Sequence, residues 1–189
     1  VVTLTGTQTL TNKTLTSPKI NEDVAVTSTA TELNLLDGKA ATNLALVGKQ
    51  EGTNFTGSLL VGHTTTGTLD SASANTGVGL NSLKRVTTGD NNTMIGYNSG
   101  QSIQGGRHNT GIGRESANGI TSGLYNINIG YQSGQNITSG DGNVIIGAVV
   151  DAASATGDRT LKISGHDGTN TTTWISGDSN GQVKLISGY

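Results

Sequence analysis

The sequence predicts an all-β protein: an elongated β-solenoid or β-roll of 17-residue repeats, with an extended N-terminal segment and a small β cap after the repeats. Three observations predict it. Residues 75–159 fall into five gap-free blocks of seventeen that open NTGVG, NTMIG, NTGIG, NINIG and NVIIG. Gly, Thr, Asn and Ser fill half of the 189 residues, while hydrophobic residues make up 32% and aromatic residues 3%, too little for a lone conventional domain of this length. Low charge, a single Pro and many β-branched residues favour strands over disorder.

Taken in order, residues 1–28 alternate Thr with Val and Leu around Pro18 and read as an extended β stalk. Residues 29–38 carry a capping box, Thr29 to Glu32, then Leu33, Leu35 and Leu36, and stop at Asp37-Gly38, so the pattern predicts a short helix. Residues 39–74 read as a β connector with glycine turns.

The repeat occupies 75–159, each block one coil and the five coils about 24 Å of rod at the spacing of paired strands. Its columns predict roles. Asn75, Asn92, Asn109, Asn126 and Asn143 form a hydrogen-bond ladder at a corner, for which a structural role outweighs a catalytic one. Val78, Ile95, Ile112, Ile129 and Ile146 form an aliphatic ladder expected to face the inside of the coil. A second apolar column, Val86, Ile103, Ile120 and Ile137, or the Leu80, Tyr97 and Tyr131 position, is available to pack against copies of the same chain. The scarcity of apolar residues predicts such a homo-oligomer, with threefold symmetry. Residues 160–189 predict a three-stranded cap, strands 160–164, 171–176 and 182–187, with Trp174 as the anchor that closes the open end.

Composition excludes several functions. There is no Cys, hence no disulfide framework or thiolate chemistry. A net charge of −2 leaves no broad footprint for nucleic acid, and no apolar run approaches the ~18 residues of a membrane span. The chain opens on Val1 rather than Met and reads as a fragment or a processed product.

Catalytic and metal chemistry find little support. His63, His108 and His166 lack metal-ligand spacing, although on a threefold axis His108 would bring three imidazoles together. The Asp-rich turns at 141–143 and 178–181 lack the acidic last ligand of a calcium loop. Asp90, Asp141 and Asp158 recur at one turn, and Ser82, Ser99, Ser116 and Ser133 form a column that no histidine tracks. The expectation is no enzyme and no cofactor. Tyr97, Arg114 and Tyr131, with Gln101 and Gln135, are the candidates for contact with a receptor, since aromatic rings and planar amides suit sugars and polar protein surfaces.

The phrases TLTNKTLTSPKI at 9–20 and ATELNLLDG at 30–38 resemble ones in tail fibres of tailed bacteriophages, particularly marine ones. NTMIGYNSG and NINIGYQSG resemble repeats of the same fibres and are similar to the β-roll heads of trimeric autotransporter adhesins, whose repeat is usually shorter. The resemblance implies an intertwined homotrimer in the virion tail, joined to other tail proteins and contacting a host glycan or protein. It implies no catalytic residue. A bacterial trimeric surface adhesin and a polysaccharide-degrading tailspike are the alternatives.

Overall fold

Three-residue strands separated by sharp corners wind this chain into a coil that repeats every seventeen residues. The structure is a computed structural model that describes residues 48–50 and 52–186. The stalk expected over 1–28 and the helix expected over 29–38 lie outside the described residues. Strands β1 (Gly48–Gln50), β2 (Phe55–Thr56), β3 (Leu59–Val61), β4 (Ala72–Ser73), β5 (Thr76–Val78) and β6 (Thr93–Ile95) are followed by β7 (Thr110–Ile112), β8 (Ile127–Ile129), β9 (Val144–Ile146), β10 (Leu161–His166), β11 (Thr171–Gly177) and β12 (Val183–Leu185). From β3 through β5 to β10 they stack in parallel, each pairing with the residue seventeen positions on, as in Thr93↔Thr110 and Ile95↔Ile112. The result is an all-β solenoid of about 6 turns. Strand β1 pairs antiparallel with β3 at one end of the sheet, and β11 and β12 extend the other end antiparallel.

The coil reaches beyond the five sequence blocks. Leu59↔Thr76 and Val144↔Leu161 keep the same offset, so residues 58–74, expected to be a connector, make a coil, and β10 begins another. Ser58 takes the place of the Asn column there and Thr160 takes it at the other end. Phe55, the single Phe, pairs with Ala72 and is fully buried. It fills the core at the N-terminal end of the described coils.

The Asn ladder sits inside the coil: Asn75, Asn92, Asn109, Asn126 and Asn143 are all 0% exposed. The side-chain amides of Asn92, Asn109, Asn126 and Asn143 are each saturated. Asn92 Oδ1 accepts from the main-chain N–H of Asn109 at 3.1 Å and from Asn109 Nδ2 at 3.0 Å. Asn92 Nδ2 donates to Asn75 Oδ1 at 3.0 Å and to Gly106 O, across its own coil, at 2.8 Å. The pattern repeats at Asn109 and Asn126. Ser58 Oγ accepts the first main-chain N–H, and Thr160 donates to the last carbonyl oxygen. A second buried ladder runs through Ser82, Ser99, Ser116 and Ser133. Each hydroxyl donates to a main-chain carbonyl of the following coil, as Ser116 does to Asn128 O at 2.7 Å.

Because the side chains of a strand alternate, an inward Asn forces the residue two places on inward and the neighbours of both outward. The Val78, Ile95, Ile112, Ile129 and Ile146 ladder therefore stacks in register but on the outer face, where the first four are 36–39% exposed. This corrects the expectation that it lines the interior. The core residues are instead Leu60, Met94 and Ile145, from the intervening column, and Val86, Ile103, Ile120 and Ile137, all 0% exposed. The second apolar column is thus consumed by the chain's own core and is not free to pack against copies.

Space inside one coil is shared between two columns. Gly77 faces Leu83, Met94 faces Gly100 and Gly111 faces Ala117. A methyl group on Gly100 would fall 2.6 Å from Met94 Sδ, and one on Gly111 3.2 Å from Ala117 Cβ. Where one column carries a large residue, Leu83 or Met94, the other carries glycine, and at Gly111 and Ala117 the space is taken by Met94 of the neighbouring coil, as close packing requires. Asn128 repeats the relation to Gly134, but neither Oδ1 nor Nδ2 of its side chain has a hydrogen-bond partner. Asn128→Met would copy the Met94–Gly100 pair and remove two unpaired polar atoms. The expected result is a gain of about 1–2 kcal/mol, read as a shift of the urea midpoint without a change in slope.

Candidate functional site

With the core filled, chemistry is confined to the outer columns and the cap. Tyr97, Arg114 and Tyr131 occupy equivalent positions on successive coils, and the structure brings them together. The Arg114 guanidinium lies 5.7 Å from the Tyr97 ring centroid and 5.4 Å from that of Tyr131. Arg114 Nη2 also meets Glu115 Oε1 at 3.0 Å, and Gln132 Nε2 donates to Glu115 Oε2 at 2.8 Å. The stack is exposed, yet the ring faces directed along the rod at Arg114 are occupied by its cation. Gln101 and Gln135 stand four residues further round the coil, half-buried, and no hydrogen bond or ring contact among the described residues joins them to the Tyr–Arg stack.

His108 is exposed, adopts a left-handed φ of 56° at a corner and stacks on Tyr125, ring centroids 4.9 Å apart and planes 5° from parallel. That corner column runs Ala74, Asn91, His108, Tyr125, Gly142 and Arg159, each with φ between 49° and 67°. Among the described residues no three His, Cys, Asp or Glu gather as a metal-holding group. His63 is buried and structural: its Nδ1 accepts from Thr65 N at 3.1 Å, which leaves Nε2 to donate to Ser82 O at 2.7 Å.

The repeated carboxylates bind coil to coil. Asp90 Oδ1 accepts from Ser73 N at 2.9 Å, Asp141 Oδ1 from Leu124 N at 2.7 Å and Asp158 Oδ1 from Asp141 N at 2.9 Å. Each therefore satisfies a main-chain donor of the preceding coil. Among the described residues no helix is long and apolar enough to cross a membrane.

The cap departs most from expectation. Its three strands form where the sequence places them, but Trp174 does not seal the core, since it remains 55% exposed. The core narrows instead through Ile145, Val150 and Ala152, and Lys162 bends over this end to donate to Asp151 O at 2.8 Å. In the β10–β11 turn, Asp167 Oδ1 accepts from Asn170 N at 2.8 Å and Thr169 N at 2.9 Å. These main-chain donors, Asn170 first, hold the Asp167 carboxyl below the usual carboxylate range. A lowered folded-state pKa contributes stability above the unfolded value and loses it as pH falls through the folded one. The turn is expected to hold at neutral pH and to loosen below the ordinary carboxylate range. Hydrogen exchange at Asn170 NH, faster in acid than the intrinsic rate predicts, checks it.

These features define an all-β repeat solenoid whose outward chemistry is a Tyr–Arg stack, an aliphatic stripe and a polar cap. Compared with protein-family models, with curated proteins and with solved structures, the chain matches none.

Proposed function

We propose that this chain is a structural and adhesive segment of a phage tail fibre, a rigid homotrimeric rod for attachment to a host surface. The observation that carries it is the outer face of the parallel strands. Its in-register aliphatic ladder from Val78 to Ile129, with Leu59 and Ile127 beside it, is 36–39% exposed over five coils. Scattered exposed aliphatics are ordinary, but a continuous stripe on a rod whose own core is full calls for cover. Copies of the same chain offer a matching stripe with the same 17-residue spacing, and threefold symmetry closes the contact without an open edge. The likeness of residues 9–38 and 75–147 to tail-fibre phrases supports placing such a rod in the virion tail. A bacterial surface adhesin shares the architecture. The carboxylates that tie coil to coil favour a structural over a hydrolytic role.

Attachment is tested by incubating the labelled protein with a panel of bacterial isolates. Saturable binding to a restricted set is expected. Absence of binding to every isolate, from a protein shown to be folded, would make the segment a spacer.

A further inference from the structure

The one tryptophan of the chain is misplaced for a core residue and well placed for a ligand. Register between β10 and β11 runs Ile163↔Ile175 and then Ser164↔Thr173, so Trp174 is the extra residue of a β-bulge. A bulge re-aims a side chain that the regular pleat would direct elsewhere. The indole lies on the backbone of Gly165, where a methyl group would fall 2.4 Å from Cζ2 and 2.6 Å from Cη2. Gly165 is not in the left-handed region, so its lack of a side chain serves the ring and not the backbone. The ring is thereby seated on one side, while more than half of the residue stays in water.

Around it lies an open depression of about 350 Å³, lined by Gly165, His166, Asp167, Asn170, Thr172 and Trp174. Its polar groups are partly engaged in ways that fix them. His166 Nδ1 is paired with Thr171 Oγ1 at 3.0 Å, which leaves Nε2 uncommitted. Asp167 Oδ1 is held by the main chain of the turn, the Asn170 side chain also bonds the carboxylate, and its remaining lone pairs are left to accept. An apolar ring fixed in place, rimmed by a carboxylate, an imidazole, an amide and a hydroxyl, matches a molecule with one flat C–H face and several equatorial hydroxyls.

We propose that this face of the β10–β11 hairpin is a saccharide-binding site, with Trp174 as the platform and His166, Asp167 and Asn170 as hydroxyl partners. The occupant is a neutral pyranose unit, since Asp167 disfavours an anionic sugar at that edge. The site deepens the attachment reading above and rests on it for its biological role, but its chemistry can be tested separately. It lies on a different element from the Tyr97–Arg114–Tyr131 stack, whose ring faces toward Arg114 are already taken.

Because Trp174 is the only tryptophan, its fluorescence reports on the site directly. The whole protein is titrated with glucose, galactose, N-acetylglucosamine, maltose and cellobiose. A saturable change in emission and protection from acrylamide quenching are expected with at least one, with a dissociation constant of about a millimolar for so open a site. Asn170→Ala keeps the main-chain bond to Asp167 and is expected to weaken binding about three- to tenfold, as loss of one hydrogen bond would. Gly165→Ala, which unseats the ring, is expected to weaken it at least as much, and Trp174→Ala to abolish it by calorimetry, with the thermal transition of the solenoid kept. No saturable response to any of the sugars, a Trp174 already inaccessible to acrylamide in the free protein, or an affinity unchanged by Asn170→Ala and Gly165→Ala would each overturn the proposal. Cell binding without a sugar response overturns this site and leaves attachment standing. A sugar response without cell binding supports the site and removes attachment.

Discussion

Replacing Asn109 by alanine is expected to destabilise the protein by about 4 kcal/mol, an exceptional cost for one side chain. The loss is not of one bond. Asn109 Nδ2 donates to Asn92 Oδ1 at 3.0 Å and to Gly123 O at 2.8 Å, while its Oδ1 accepts from Asn126 N and Asn126 Nδ2, both at 3.0 Å. Truncation strands the Gly123 carbonyl and two donors of Asn126 in a dry interior, each unpaired group costing about 1–3 kcal/mol. Partial collapse of the coil recovers some of this. Urea unfolding of Asn109→Ala beside Asn180→Ala checks it, since Asn180 is exposed in a turn and its replacement is expected to change stability by less than about 0.5 kcal/mol. Asn109→Asp sharpens the test. It keeps the shape but sets an acceptor against Asn92 Oδ1 and Gly123 O, so burial and those oxygens raise the carboxyl's pKa in the folded state. Stability of that variant is expected to fall as pH rises from the ordinary carboxylate range, a slope the parent lacks at this site.

The second large effect is expected at the glycine that ends each short strand. Gly79, Gly96, Gly113, Gly130 and Gly147 have φ between 127° and 135°, a region L side chains rarely adopt. A methyl group on Gly113 would also fall 2.4 Å from the Gly130 carbonyl oxygen of the next coil. Strain and collision add, and the obstacle is backbone, which cannot turn aside as a side chain does. Gly113→Ala is therefore expected to cost about 4 kcal/mol or more and to break the stacking between coils, seen as loss of hydrogen-exchange protection at Gly113 and Gly130 together. Gly105→Ala is the control: its nearest neighbour would be Thr88 Oγ1 at 3.2 Å, its φ is ordinary, and a change below about 1 kcal/mol is expected.

Both effects concern columns that the sequence exposes directly. Five aligned Asn and five aligned Gly, seventeen residues apart, make the coil and its register legible in the sequence. The direction of the strands' faces was not. Alternation sorts a strand into two sets without saying which is inside, and Asn beside Ile suggests the aliphatic set. The ladder reverses that, because an amide that bonds to its own kind above and below, and to a glycine carbonyl across the coil, is fully satisfied when buried. Met94, Gly111 and Asn128 look unrelated as a column, and they make sense as core only beside Gly100, Ala117 and Gly134. The first coil was hidden because Ser58 replaces Asn, although Gly62 keeps the glycine column one period before Gly79. At the cap, three strands were readable from their turns, but the bulge that turns Trp174 outward depends on register between strands, which no local pattern encodes. Of the candidate contact residues, Tyr97, Arg114 and Tyr131 meet as their spacing suggests, whereas Gln101 and Gln135 lie apart from them.

A trimeric rod requires that sister chains cover the outer aliphatic stripe. Sedimentation equilibrium of the whole protein, run beside Ile112→Glu, tests this most directly. Ile112 is 38% exposed and lies outside the coil's own core, so the substitution leaves that core intact. The expected result is a particle of three times the 19.2 kDa chain mass for the parent and a smaller species for the variant. A folded parent that sediments as a single chain, with the stripe in water, would contradict it.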